Sequence, residues 1–308
     1  MGGSGGSFFG GSTPPKDLLK KIRKTEEDTL NEQFETDVSR ILADLLAKYN
    51  NRNVEAINTH LNNIKKALNK EIDGTVDLLF GGSVSKHTYV DGLSDIDALV
   101  ILNNSELTNM APIEVKNYFF NRLSERFPGT DIRVGNLAVT LSFSDTEVQL
   151  LPAVKYENGF RIPNESGTAW SFIKPKEFAD TLTKANGDQQ VKVVPTVKLA
   201  KSIISNLPEK RQLTGYHTEA IAVEIFRDYH GAKNTKSMLK YFFAEAPKHI
   251  LKPINDVTGQ SLHVDEYLGA ENSIERRVVA DSMARIGRRM QNADGANSIT
   301  QWKDILGL

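Results

Sequence analysis

Apolar residues at Phe34, Val38, Ile41, Leu42, Leu45, Leu46 and Tyr49 recur at spacings of three, four and one. That is the buried stripe of a long amphipathic helix. Val54, Ile57, Leu61, Ile64 and Leu68 predict a second helix directly after it. Ahead of both, residues 1–12 (MGGSGGSFFGGS) are rich in Gly and Ser and read as a flexible tail, either a linker or a natural extension. Thr13-Pro14 reads as a helix N-cap followed by proline at the first helical position. The basic cluster Lys20, Lys21, Arg23 and Lys24 reads as a solvated helix face.

The period changes near residue 75. Residues 75–80 (TVDLLF), 96–102 (IDALVIL), 137–143 (LAVTLSF) and 147–151 (EVQLL) are short and rich in Val, Leu and Ile, and they predict strands. Ser144-Asp145-Thr146 reads as the hairpin turn between the last two. Residues 112–126 return to helical spacing, with Val115, Phe119, Phe120 and Leu123 on one side. From about residue 176 the pattern is almost wholly helical. Val193, Val194, Val197, Ala200, Ile203 and Ile204 form one stripe, and Ile221, Ala222, Ile225, Phe226 and Tyr229 form another. Further helices are expected over 236–246 and 273–290. The division this implies is a tail (1–12), a mixed α/β core with bracing helices (13–175) and a helical C-terminal half (176–308).

Composition narrows the classes without choosing among them. The 308 residues are 39% hydrophobic and 25% charged, ordinary for a globular protein. The net charge of −1 gives no electrostatic footprint for nucleic acid. Cysteine is absent, which excludes disulfides and thiolate metal sites. The six histidines are scattered without ligand spacing. No apolar run reaches the roughly 18 residues of a membrane span, and Met1–Ser12 lacks the features of a signal peptide. The expectation is a cytoplasmic protein.

Chemistry concentrates in residues 78–101, LLFGGSVSKHTYVDGLSDIDALVI. One apolar strand ends in Gly81-Gly82-Ser83. Eleven residues separate Ser83 from Asp95-Ile96-Asp97, which heads the next strand. Alternate side chains on a strand share a face, so Asp95 and Asp97 point the same way. Two adjacent carboxylates repel, and a divalent cation relieves the repulsion. Mg²⁺ takes such hard oxygen ligands and completes its shell with water and phosphate. Gly81 and Gly82 allow close backbone approach to a phosphate. Their N–H groups, the Ser83 hydroxyl and the start of the following helix form a cradle for a triphosphate. Lys86 and His87 read as an ordinary exposed turn. Asp265-Glu266 reads as a structural pair in a loop.

The order Gly-Ser, about a dozen residues, then Asp-x-Asp resembles the polymerase-β-like nucleotidyltransferase superfamily. Within it, the chain is similar to the cGAS/DncV-like nucleotidyltransferases of bacterial anti-phage signalling (CBASS), relatives of oligoadenylate synthase. Four stretches carry the likeness over about residues 30–300: GGSVSKHTYVDGLSDID, VQLLPAV (148–154), VKLAKSI (197–203) and LTGYHTEAIAVEIF (213–226). The resemblance implies an α+β fold, a polymerase-β-like core with a helical C-terminal domain in a bilobal arrangement.

It also implies roles. Lys201, and less directly Lys198, fall where a lysine meets the donor triphosphate. Tyr216 falls where an aromatic ring stacks a base, a contact tolerant of base identity. Thr214-Gly215-Tyr216 replaces the Ser-Ser-Tyr frequent in relatives, so one hydroxyl contact is missing. The third carboxylate of the family, three residues before the strand proline, is replaced by Gln149 ahead of Pro152. Asp131 or Glu147 is a substitute, or the site runs on two acids, or it is impaired.

The expected activity is template-independent synthesis of a cyclic di- or oligonucleotide from ribonucleoside triphosphates, with Mg²⁺ or Mn²⁺ at Asp95 and Asp97. Regulatory partner proteins belong to the same expectation. A membrane and clear nucleic-acid binding do not. The alternatives are a linear synthase or nucleotide-adding toxin, and a nucleotide-binding pseudoenzyme marked by Gln149.

Overall fold

A computed structural model describes residues 15–308, apart from 52, 70–74, 94, 104–105, 145, 165 and 259–260. The expected tail, the Thr13-Pro14 cap and the tip of the 144–146 hairpin lie outside the described residues.

Two helices lead. α1 (Pro15–Tyr49) and α2 (Val54–Leu68) join through Asn53, whose side chain accepts from the Ala56 N–H as the N-cap. They serve different cores. Phe34, Val38, Leu42 and Leu45 of α1 pack with the C-terminal helices, whereas Ile57, Leu61, Ile64 and Leu68 of α2 pack on the sheet. Tyr49 at the end of α1 donates from its hydroxyl to Ser202 Oγ at 2.6 Å. The first helices therefore brace both halves.

The middle of the chain is one mixed sheet. Its first parts are β1 (Thr75–Phe80), the single turn α3 (Gly82–Ser85) and β2 (Ile96–Asn103). After α4 (Pro112–Arg126) come β3 (Asp131–Val134), β4 (Val139–Ser142), β5 (Glu147–Tyr156), β6 (Gly159–Pro163) and β7 (Trp170–Ile173). The order is β1-β2-β5-β4-β3, with β6 joined to the far end of β5 and β7 to β6. Among the described residues only the central pair β2–β5 is parallel, in a register that sets Ile96 beside Val148 and Asp97 beside Gln149.

The four strands expected from the sequence are present, and β3, β6 and β7 are additional. Those three span only four or five residues. β3 has largely exposed side chains, and β6 and β7 take their pairing from neighbours. β5 also runs five residues beyond its expected end. Pro152 falls where β5 has left β4 and has not yet met β6, so its missing N–H leaves no gap in either ladder.

Burial follows the strand period. Ile96, Ala98, Val100 and Leu102 of β2, with Val148 and Leu150 of β5, sink into the core beneath α2 and α4, beside Phe119 and Leu123. Each large buried side chain of this kind contributes about 1.5–3 kcal/mol. The intervening positions 95, 97, 147 and 149 therefore point to the opposite face.

The second half is helical as expected: α5 (Pro175–Asp188), α6 (Val193–Ser205), α7 (Gly215–Arg227), α8 (Thr235–Ile250), α9 (Ile274–Gly295) and α10 (Ile299–Leu306). Val197, Ile221, Phe242, Phe243, Met283 and Trp302 are among its fully buried centre. Among the described residues no helix is long and apolar enough to cross a membrane.

Candidate active site

Strand β1 ends at Phe80 and is followed by Gly81, whose N–H donates to the carbonyl of Asp97 at 2.8 Å. That bond pins the glycine turn to the start of β2. It also spends the Gly81 N–H on the sheet, so Gly81 shapes the loop and offers no donor to a phosphate. Gly82 takes φ +48°, the left-handed region that favours glycine. A Cβ there would lie 1.6 Å from Asp97 Oδ2. The loop and the carboxylate thus occupy adjoining space, and only a residue without a side chain fits between them.

Asp95 and Asp97 share the face of β2 turned from the core, and Gln149 stands beside Asp97 on β5. Gln149 Nε2 donates to Asp95 Oδ2 at 2.6 Å. Burial, with the nearby Glu147 charge, pushes the Asp95 carboxyl above its usual range, against the bond from Gln149. Burial and the Asp95 charge push Asp97 further, up to about 6. Two partly buried carboxylates whose charged forms are disfavoured, with their oxygens on one face, suit a divalent cation. Among the described residues no group of three or more His, Asp or Glu side chains is arranged to hold a metal. Two protein carboxylates completed by water and phosphate oxygens is the way Mg²⁺ is commonly held. The residues present fit such an ion.

The acids open onto a cleft of about 400 Å³. Gly82, Ser83 and Lys86 line one wall with Asp95 and Asp97, and Lys201, Tyr216 and Glu219 line the other. The sheet and the helical half meet here. α6 presents Lys201, and α7 presents Tyr216 from its first turn. Gly215 precedes Tyr216, and a Cβ on it would press within 3.4 Å of Lys201 Cε and Nζ. The missing hydroxyl in Thr214-Gly215-Tyr216 is thus the room that Lys201 occupies.

Tyr216 is half-buried. Its hydroxyl donates to Asp256 Oδ1 at 2.7 Å, and its ring meets Phe178 edge-on, centroids 4.8 Å apart. Burial and the Asp256 carboxylate keep the phenol protonated. A second space of about 270 Å³ adjoins the cleft, walled by Leu99, Leu151, Ile173, Phe178 and Tyr216 and bordered by Asp97 and Lys86.

Not every expected residue gathers here. Lys198 donates to Asn50 Oδ1 at 2.5 Å and joins α6 to the end of α1, outside the cleft lining. His87 is exposed and also outside it. Asp265 pairs with Arg276 at 2.6 Å and accepts from the Ile254 N–H, while Glu266 accepts from the Leu262 and His263 N–H groups. Both are structural.

Two residues outside the expected set belong to the site. Lys86, read as an exposed turn, keeps only 12% of its side chain exposed and pairs with Glu219. Glu219 was visible as an acid three positions from Tyr216, on the stripe of a helix otherwise apolar on that side.

A model of the Second Messenger Oligonucleotide or Dinucleotide Synthetase domain (SMODS) matches residues 29–186, just over half of the chain. The chain belongs to the SMODS family. Solved structures agree with its fold. The E. coli MS115-1 CdnC:HORMA-deltaN complex aligns at TM-score 0.68 and 16% identity, over 88% of this chain and 96% of that one. Vibrio cholerae DncV cyclic AMP-GMP synthase, solved with the linear intermediate 5′ pppA(3′,5′)pG, aligns at TM-score 0.62 and 13% identity, over 96% and 90%. The STING-associated CdnE c-di-GMP synthase from Capnocytophaga granulosa aligns at TM-score 0.60 and 16% identity, over 92% and 94%. No curated protein matches the sequence. As a SMODS protein the chain is a nucleotidyltransferase, and its mixed core with a helical C-terminal half is the fold expected from the sequence.

Proposed function

We propose that this SMODS protein joins ribonucleoside triphosphates into a cyclic oligonucleotide second messenger in the cleft between β2 and α6–α7, and that the product signals in anti-phage defence. The observation that carries the chemistry is the facing of two walls. Asp95, Asp97, Lys86 and the glycine turn stand on one wall, opposite the Lys201 ammonium and the Tyr216 ring on the other. The signalling role rests on the family.

Ser83 and the open backbone at Gly82 meet the donor phosphates. Lys86 on the same wall and Lys201 on the other offset phosphate charge, and Tyr216 stacks a base. Asp95 and Asp97 would hold a divalent cation, which would supply charge neutralisation and ease loss of the acceptor proton. The acceptor hydroxyl oxygen forms a bond to the α-phosphorus, the bond from that phosphorus to the bridging oxygen breaks, and pyrophosphate leaves with the electron pair.

The acceptor proton needs a base. Gln149 is a neutral amide already bonded to Asp95 and cannot take it. Glu147 supports the role better than Asp131. It lies one strand step before Val148, the partner of Ile96, on the face of Gln149, and its charge acts on Asp95. Arg133 Nη2 and Ser142 Oγ both donate to Glu147 Oε1, each at 2.5 Å, which leaves Oε2 for the proton. Asp131 is about two-thirds exposed on the edge strand β3 and pairs with Arg133 at 3.3 Å. A regulatory partner belongs to this reading, by analogy with the CdnC:HORMA-deltaN complex.

The test is incubation of the purified protein with radiolabelled ATP, GTP, CTP and UTP and Mg²⁺ or Mn²⁺, followed by phosphatase and separation. A phosphatase-resistant product that disappears in Asp95→Asn/Asp97→Asn is expected. Products that phosphatase degrades completely would replace the cyclic reading with a linear one.

A further inference from the structure

Glu219 keeps 1% of its side chain exposed and lies beneath the cleft floor, on the same face of α7 as Tyr216. Its carboxylate is divided between partners. Oε1 accepts from Lys201 Nζ at 2.6 Å and from the Thr88 hydroxyl. Oε2 pairs with Lys86 Nζ. Lys201 comes from α6, and Lys86 and Thr88 come from the loop after the glycine turn. One side chain therefore ties both walls of the cleft together.

We propose that Glu219 is a positioning residue that sets the ammonium groups of Lys86 and Lys201 at the spacing needed to grip the polyphosphate of a nucleoside triphosphate. This rests on the triphosphate reading of the cleft.

The two lysines do different work under this arrangement. An ammonium has three donors and no acceptor. Lys201 directs its donors at Glu219, at Thr88 Oγ1 (3.2 Å) and at Thr88 O (3.3 Å), with Gly215 packed against it. It is a fixed charge below the phosphates. Lys86 has Glu219 on one side and the rings of Phe178 and Tyr216 about it, at 5.1 and 4.9 Å from their centroids. Its remaining donors are free for phosphate oxygens, and the rings hold it in place.

The charge balance is consistent with this role. Two ammonium groups against one carboxylate leave one net positive charge on that side. Burial drives Lys201 toward its neutral form, and the Glu219 carboxylate opposes that. Burial would likewise raise Glu219, but Lys86 and Lys201 outweigh it and hold the acid ionised. Without the carboxylate, two buried like charges face each other with no counter-ion, and their positions are no longer set.

The experiment is calorimetric binding of ATP and AMP to the full chain, with Ca²⁺ to hold back turnover. The GTP/GMP, CTP/CMP and UTP/UMP pairs are run alongside, so that base preference does not decide the result. Wild type is compared with Glu219→Gln, which keeps the shape without the charge, and with Glu219→Asp, which keeps the charge but is too short for both lysines. The preference for triphosphate over monophosphate is expected to fall about tenfold in each variant, with monophosphate affinity retained. An unchanged preference overturns the proposal. So does an equal loss for both ligands, which is the mark of a purely structural role. If Glu219→Gln fails to fold, Glu219→Asp decides alone by the same criteria. Failure of wild type to bind any triphosphate overturns the underlying reading as well, and is distinguishable because it needs no variant.

Discussion

Gln149 holds Asp95 through a 2.6 Å hydrogen bond from its amide nitrogen, so a neutral amide is fastened to one of the two acids that line the cleft. The bond lowers the Asp95 proton affinity, while burial and Glu147 raise it. The amide thus orients a carboxylate and moderates its charge.

If Glu147 is the base, Glu147→Gln is expected to slow product formation by about 10²-fold or more, the usual worth of general-base help. Triphosphate affinity should stay near wild type. Single-turnover rates and binding on the same preparations check this. A large rate loss in Asp131→Asn, with Glu147→Gln unaffected, would move the role to Asp131.

Gly82→Ala is expected to cost about 10²-fold or more in rate, the scale of a misplacement of about 1 Å at a reacting centre. The added Cβ collides with Asp97 Oδ2, and the backbone is left-handed there. The fold should persist, because Gly82 is exposed and the collision is confined to the site. Circular dichroism beside the rate measurement separates the two.

Asp97 ties stability to pH in the direction opposite to a salt-bridged acid. Its carboxyl is raised from 3.8 to about 6 by burial first and Asp95 second. The native state therefore holds this proton more tightly than the unfolded chain. That contribution is fully present below pH 3.8 and is lost as pH rises through about 6. Metal-free Asp97→Asn should be more stable than wild type at pH 7.5, by about 1–3 kcal/mol. The difference should vanish near pH 3.5. Urea unfolding at the two pH values tests it, and equal midpoints at pH 7.5 would contradict it.

Mg²⁺ binding should release protons near pH 6, because the ion needs both carboxylates ionised. Calorimetry at pH 6 in buffers of different ionisation enthalpy should show the release, and at pH 8 it should disappear. Chelation with EDTA should abolish product while leaving the helical signal intact.

Tyr216→Ala is expected to raise KM for triphosphate by about 10-fold or more, from loss of a stacking surface worth about 1–3 kcal/mol. Tyr216→Phe keeps the ring and loses only the bond to Asp256, so its effect should be smaller. A larger effect in the Phe variant would mean that the hydroxyl matters more than the ring.

Much of this molecule is legible along the chain because local periodicity carries it. The alternation Ile96, Ala98, Val100 against Asp95, Asp97 already separates a core face from a chemical face. The glycine pair ahead of Ser83 marks a turn without side chains, and the stripes at 193–204 and 221–229 mark helices. These signals lie within a few residues of one another, and repetition every two or 3.6 positions needs no knowledge of partners.

What joins distant segments was decided only by tertiary structure. Lys198 and Lys201 lie three residues apart on one helix, yet the first goes to Asn50 and the second to the cleft. Lys86 looks like a solvated turn until α7 brings Glu219 beneath it, more than a hundred residues away in sequence. Gln149 looks like a missing acid until the parallel register of β2 and β5 sets it beside Asp97 and in reach of Asp95. A charged side chain has no period of its own. Its partner is chosen by packing, because a buried charge must be met by whatever opposite charge or donor the fold brings near. The sequence by itself marked the main helices, the strands β1, β2, β4 and β5 and the Asp95-x-Asp97 pair, while β3, β6 and β7 came from pairing with neighbours. The pairing of the two walls across the cleft came from the way the sheet and the helical half close on each other.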